Sequence, residues 1–482
     1  MSKIARDTST YLGVNLTAQL FSILRGTIVA RVLGPVYFGI WDALQVILDY
    51  SPYFGLGVPN AMSREYPYRV GKNELSQAGA IKNTAFTFNI LINTAVALLL
   101  VGIIVFLKLK ISSEIAIGVL VISLVSILQQ ASVFYRELGR LEKRINSVNI
   151  ALLLFSGINC LVSILLVRRF SIYSLYLALV IAYIISLAYL IYVTKNKFRF
   201  SIDKDHLRRL VKLGLTLTMI PILTTALQNL DKLLILKFLN IKYLGFYGLG
   251  SLFAGLILYL PVAYQFITYP YLLEGHGQKV PVSDLGNLYV AQPTMAMAGL
   301  LAFCIGAMLI SVNPVIKYLL PNYLDSLKTL KILLVSGFFF SQIYLSANFL
   351  VAMNKQVKVI KLQVICLLLQ IGFGFFFIRA GASINGVAWA RCIAYFILGS
   401  SLLGYALIHS LIKISSVVYY LLRIYLFLAY ALLTVFVLEK ASLSFADTLI
   451  NSLMKLIIYI FVCGVPLYLS ARSLQRRIRL KP

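Results

Sequence analysis

Fourteen apolar runs follow one another from end to end of this chain, each long enough to cross a bilayer. They lie at roughly 10–32, 38–60, 80–107, 114–135, 147–167, 172–194, 213–238, 243–269, 287–311, 329–352, 359–378, 384–411, 415–438 and 448–470. A helix needs about 20 residues to span the hydrocarbon. Inside that hydrocarbon every backbone N–H and C=O must bond within the chain, so these runs are predicted to be helices, with their Pro and Gly residues as tolerated kinks. Spanning strands would give alternation in segments of about ten residues instead, and none is present. The predicted class is an all-α polytopic membrane protein with about 14 transmembrane helices. Composition agrees, since 12% of the residues are charged where soluble domains carry about 25%.

The net charge of +28 raises nucleic acid as a partner, and its placement argues against one. If the first run starts inside, the alternating run ends collect 27 Lys and Arg on one side and 12 on the other. The basic side holds Lys3, Arg6, the 61–82, 136–144, 195–212 and 355–361 loops, and Arg472–Lys481. Five more basic residues sit within the helices: Arg25, Lys232, Arg391, Arg423 and Lys455. This asymmetry follows the positive-inside rule and predicts an inner membrane protein with both termini in the cytoplasm. The basic loops are expected to touch anionic lipid heads. Met1–Ser9 is short and polar, so no cleavable signal is expected. The five cysteines are scattered through apolar segments without paired spacing and read as small core residues, with no metal or disulfide role. His206, His276 and His409 have no metal-ligand company. No nucleotide-binding motif occurs, and the outer loops are short and hold Glu114, Asp325, Glu439 and Asp447, so no cofactor and no enzymatic activity are expected.

The chain also repeats itself. Residues 24–41 and 230–247 align at a constant offset of 206, with Leu24, Leu33, Tyr37 and Gly39 recurring as Leu230, Leu239, Tyr243 and Gly245. In the same alignment Arg25 faces Asp231, Arg31 becomes Lys237, and Trp41 becomes Tyr247. Phe134–Arg140 with Lys143 echoes Phe349–Lys355 with Lys358 at an offset of 215, and Ile181-Ala-Tyr183 echoes Ile393-Ala-Tyr395 at 212. The longest hydrophilic stretch, Thr194–Lys212, falls where the second copy would begin. These features predict a six-helix lobe over 1–195, a basic cytoplasmic linker over 196–212, a second six-helix lobe over 213–411, and two extra helices with a basic tail over 412–482. An even number of helices per half gives both halves the same orientation, related by an axis along the membrane normal.

Several of these segments resemble the polysaccharide flippases of the multidrug/oligosaccharidyl-lipid/polysaccharide exporter superfamily. Ala30-Arg-Val-Leu-Gly-Pro-Val-Tyr-Phe-Gly39 is similar to that family's turn between its first two helices, and Phe54-Gly-Leu-Gly57 with Arg64-Glu65 to the end of its second. Leu138-Gly-Arg140, Asn348–Lys355 and Ile384-Asn-Gly-Val-Ala-Trp-Ala390 resemble its later turns and the start of its twelfth helix. The resemblance runs through about residue 411. It implies a flippase that carries a polyprenyl-diphosphate-linked oligosaccharide from the cytoplasmic to the outer leaflet by alternating access through a basic central cavity. It also implies a monomer working beside other polysaccharide assembly proteins. A multidrug exporter of the same superfamily is the alternative, with a membrane glycosyltransferase or polymerase behind it.

Charged groups within the runs are the candidate site, because each costs about 2.5–3.5 kcal/mol at mid-bilayer on insertion scales. Arg25, Lys232 and Arg391 are the candidate cavity cations, since a guanidinium offers paired donors to phosphate oxygens. For Arg25 the resemblance adds support, because the lipid II flippase branch has a cavity arginine six residues before the turn arginine, as Arg25 precedes Arg31. The structural alternative for Arg25 is an ion pair with Asp42. Asp42, Asp49 and Asp231 are candidates for coupling to H⁺ or Na⁺, and Arg25 with Asp231 for a latch between the lobes. Arg423 and Lys455, on the two extra helices, are candidates for a lipid-tail groove, by analogy with the lipid II branch.

Overall fold

The computed structural model describes residues 3–106, 112–142, 144–195, 198–410, 414–441 and 448–479. Lys143, Asp447, Lys481, linker positions 196–197 and run ends 107 and 411 lie outside the described residues. The described chain is helical throughout: α1 Lys3–Phe54, α2 Val58–Gly71, α3 Leu75–Phe106, α4 Ser113–Leu141, α5 Ile145–Phe170, α6 Tyr173–Thr194, α7 Lys204–Phe238, α8 Ile241–Gly277, α9 Val282–Gly286, α10 Gln292–Pro314, α11 Leu327–Ala352, α12 Gln356–Arg379, α13 Ser383–Ser410, α14 Ile414–Lys440 and α15 Thr448–Arg479. Among the described residues twelve helical stretches are long and apolar enough to span. This is a multi-pass membrane protein.

The count differs from fourteen at the two ends of the chain. The first two expected runs form one stretch, Gly13–Gly71, and the last appears as the shorter apolar helix Leu449–Gly464. The first stretch is nevertheless broken where the sequence placed a turn. Gly34 takes φ 69 and ψ 176 inside α1, a conformation glycine accepts without strain and one forced out of the helical region by the Pro35 that follows. A second break comes at Phe54-Gly-Leu-Gly57, where Leu56 and Gly57 both have positive φ.

The chain divides into two compact units, Met1–Asn229 and Leu230–Pro482. The division lies within α7, beyond the expected linker, and the local contacts give the reason. Phe198 of the linker stacks on Phe86 of α3 at 4.3 Å, with the Lys82 ammonium over its ring. The amides of Ser201 and Asp203 donate to Thr87 Oγ1 and Thr84 Oγ1, each at 3.2 Å. Asp203 then caps α7, accepting the amides of His206 and Asp205 at 3.0 Å. Those amide donors, His206 first, hold its carboxyl below the usual carboxylate range. The basic linker is thus an ordered strap along α3, and it fastens the start of α7 to the first unit.

Further along, α7 touches the end of the second run backbone to backbone. A Cβ on Gly57 would sit 2.3 Å from the Gly214 carbonyl oxygen, and one on Gly214 would sit 2.5 Å from the Gly57 carbonyl carbon. Tyr53 Oη donates to Pro221 O at 3.1 Å and lies 2.8 Å from Thr225 Oγ1, and Arg209 pairs with Glu65 at 3.0 Å. Gly57→Ala is expected to destabilise the protein by about 2–4 kcal/mol, combining a left-handed alanine with an overpacked contact against rigid backbone. Thermal unfolding in detergent micelles measures this, and Gly71→Ala, with open space around its Cβ position, is the silent comparison.

Within the first unit α5 packs between α1 and α6, and α4 bridges α6 and α3. The interior is polar for a membrane protein: Ser51, Asn89, Asn93, Gln130, Asn149 and Ser163 are buried. Large leucines such as Leu98, Leu161 and Leu165 are turned outward, as lipid contact allows. In the second unit α11 is the hub, packed on α8 and α13, while α14 and α15 lean on α10. Gly306 makes the α10–α15 contact possible, because a Cβ there would meet the Tyr459 hydroxyl at 2.1 Å. The fully buried Tyr459 donates to Phe303 O at 3.1 Å and stacks on the Phe303 ring.

Candidate functional site

In the first unit the charged centre is Arg25 on α1. Its Nη1 donates to Asn159 Oδ1 on α5 at 3.1 Å, and its guanidinium lies over the Trp41 ring, 5.6 Å from the centroid. Asn159 is itself held from one turn further along, where Ser163 Oγ donates to the same oxygen at 3.5 Å. Arg25 is half-buried, and its hydrogen bond goes to a neutral amide. Both contacts orient the cation without neutralising it. Asp42 beside Trp41 is half-buried and Asp49 is exposed. Two residues beyond Asp49, Ser51 donates to Gln129 Oε1 and accepts from Gln130 Nε2, both at 3.1 Å, so the polar interior continues along the second half of α1.

The second unit answers with the opposite charge. Asp231 on α7 is fully buried and accepts three donors. Arg391 Nη1 of α13 reaches Oδ2 at 2.7 Å, Tyr247 Oη of α8 donates to the same oxygen, and the Lys232 amide donates to Oδ1 at 2.8 Å. The Arg391 guanidinium in turn lies over the Tyr395 ring at 5.1 Å. Lys232 is buried next to this cluster. A buried carboxylate held by an arginine, a phenol and an amide is electrically closed. It fixes α7, α8 and α13 to one another.

Both members of the aligned pairs 25/41 and 231/247 lie in contact. Positions 25 and 41 touch in the first unit, and their aligned partners 231 and 247 touch in the second. The first contact sets an arginine over tryptophan, and the second has an aspartate accepting from tyrosine. Tyr395, under Arg391, is the aligned partner of Tyr183.

Residues 28–263 match the model of the polysaccharide biosynthesis protein family. That match spans a little under half of the chain. The structure aligns with that of the lipid II flippase MurJ in its inward closed conformation at 15% identity and a TM-score of 0.73, covering 96% of this chain and 99% of that one. It aligns with an inward-facing multidrug resistance MATE family transporter of the MOP superfamily at 14% identity and a TM-score of 0.69, covering 85% and 98%. An outward-facing MATE family transporter gives 15% identity, a TM-score of 0.61 and coverage of 86% and 96%. At such identities these likenesses describe the fold. No curated protein sequence matches the chain.

Arg391 does not stand as an open third cation, because it is buried and committed to Asp231. Asp231, the other member of the expected latch with Arg25, is held by Arg391, Tyr247 and the Lys232 amide within the second unit. Asp231 was placed by its alignment with Arg25, and that alignment carries no information about Arg391, which lies 160 positions away. Nor did the sequence single out Asn159 and Trp41 as the residues that orient Arg25. A polar Asn within an apolar run was the available signal.

The two residues expected at a lipid groove separate. Arg423 lines an apolar groove of about 410 Å³ between α10, α14 and α15, beside Phe303, Leu426 and Tyr459. Lys455 lines a different, polar pocket.

Proposed function

We propose that this protein carries a polyprenyl-diphosphate-linked oligosaccharide from the cytoplasmic to the outer leaflet by alternating access, with Arg25 holding the diphosphate. The observation that carries the reading is the state of Arg25: a membrane-embedded guanidinium oriented by neutral Asn159 and by Trp41. Such a cation can exchange its amide partner for phosphate oxygens and gain a charge-assisted bond in doing so. Lys232 is the second cation of this reading, next to the closed Asp231–Arg391 pair. Coupling to H⁺ or Na⁺ falls to Asp42 and Asp49, since the Asp231 carboxylate is held inside its own unit. Both termini face the cytoplasm of the cell in which the protein works, and the chain performs no covalent chemistry.

The exporter alternative draws on the shared MATE-type fold. Cation export would require an acidic cavity, whereas the buried acid of the second unit is already neutralised by Arg391. Proteoliposomes distinguish the two. Transbilayer movement of a polyprenyl-diphosphate oligosaccharide, with no extrusion of a lipophilic drug cation, is the expected result. Cation extrusion without lipid movement would transfer the reading to the exporter class.

A further inference from the structure

Basic residues are sparse on the predicted outer side of this chain, yet three lysines of the second unit converge there. Lys317, just after α10, Lys331 of α11 and Lys455 of α15 line one pocket of about 440 Å³, together with Asn313, Asn451 and Glu439. Glu439 organises the group. Its Oε1 accepts from Lys331 Nζ at 2.6 Å and from Asn313 Nδ2 at 3.3 Å, and its backbone carbonyl accepts from Lys455 Nζ at 3.4 Å. Three lysines against one glutamate leave a formal excess of two positive charges among these lining residues. Amide groups beside those lysines add donors, so the pocket suits an anion with several oxygens.

What adjoins the pocket narrows the ligand. Lys331 and Glu439 also form the rim of a second pocket of about 270 Å³, whose other walls are apolar and include Leu309, Trp389, Val435 and Phe436. A basic chamber opening beside an apolar one at the end of a helix bundle matches an amphiphile with an anionic head. A small soluble anion would use the first chamber alone. We propose that this pocket binds the phosphate of a lipid headgroup at the outer interface, with the first part of its chain along the Trp389–Phe436 wall. The phosphate chemistry is shared by an anionic phospholipid and by a polyprenyl diphosphate. The site is separate from Arg25, which belongs to the other unit, and does not depend on what the protein transports.

Native mass spectrometry of the full chain, released from detergent after incubation with defined lipids, tests this. Phosphatidylglycerol is expected to be retained in preference to phosphatidylcholine. The pair Lys317→Gln with Lys455→Gln is expected to weaken that retention at least about tenfold, on the usual contribution of a basic residue to anionic lipid binding. The pair Lys317→Arg with Lys455→Arg should keep it, and Lys358→Gln with Lys361→Gln, on the cytoplasmic side, should leave it unchanged. Stronger retention of polyprenyl diphosphate than of phosphatidylglycerol would assign the site to the lipid-linked diphosphate, and the reverse order to bulk phospholipid. Displacement of either lipid by inorganic phosphate at equal concentration would overturn the lipid assignment. Wild-type retention in the glutamine pair, with unchanged thermal unfolding, would overturn the site itself. Should the glutamine pair fail to fold, Lys317→Gln alone must still weaken retention.

Discussion

Replacing Asp231 with Ala should destabilise the protein by about 3–5 kcal/mol, because it strands the Arg391 guanidinium without its counter-ion. Arg391 and Asp231 are both buried, and no solvent can replace the lost carboxylate. Tyr247 loses its acceptor in the same step, which adds an unsatisfied hydroxyl to the unpaired charge. Removing both charges is a milder change. The double variant Asp231→Ala with Arg391→Leu should recover most of the lost stability, since an ion pair replaced whole by apolar groups is often near neutral. Thermal unfolding of the two single variants and the double, in one detergent, gives the coupling energy directly. Additive effects would mean that the pair does not hold α7 to α13. Asp231→Asn is a useful intermediate: it retains hydrogen bonding and loses the charge, so it should fall between wild type and Asp231→Ala.

The same arithmetic predicts little destabilisation at Arg25. Its contacts are a neutral amide and an aromatic face, and its loss leaves no buried charge behind. The two centres are therefore expected to separate by phenotype: substitution at Asp231 lowers stability, and substitution at Arg25 lowers transport.

What the sequence revealed and what it hid have physical reasons. Spans were legible because bilayer thickness imposes a length on every apolar run, and the Gly34–Pro35 break because Pro35 restricts the residue before it. The aligned positions 25 and 41, and 231 and 247, each make a contact in the structure. Side-chain partners were not legible. Asp231 finds Arg391 across 160 positions, a separation that no periodicity reports. The docking of the linker was not legible from its composition. Seven of its nineteen residues from Thr194 to Lys212 are basic, while one aromatic, Phe198, docks it on α3.

Arg25→Ala should lower the rate of lipid movement about 100-fold. A charge-assisted hydrogen bond to a charged group contributes about 1.5–3 kcal/mol, and about 1.4 kcal/mol corresponds to tenfold. Arg25→Lys keeps the charge, loses the planar pair of donors, and should fall roughly midway on a logarithmic scale. The effect should appear in transport with near-normal unfolding temperature, which separates it from a folding defect.

The most direct test is the initial rate of transbilayer movement of a polyprenyl-diphosphate oligosaccharide in proteoliposomes, wild type against Arg25→Ala at matched protein density. A rate that collapses in the variant while its thermal unfolding stays close to wild type is the predicted result. An unchanged rate would contradict the account, leaving Arg25 a helix-packing residue and placing the diphosphate elsewhere.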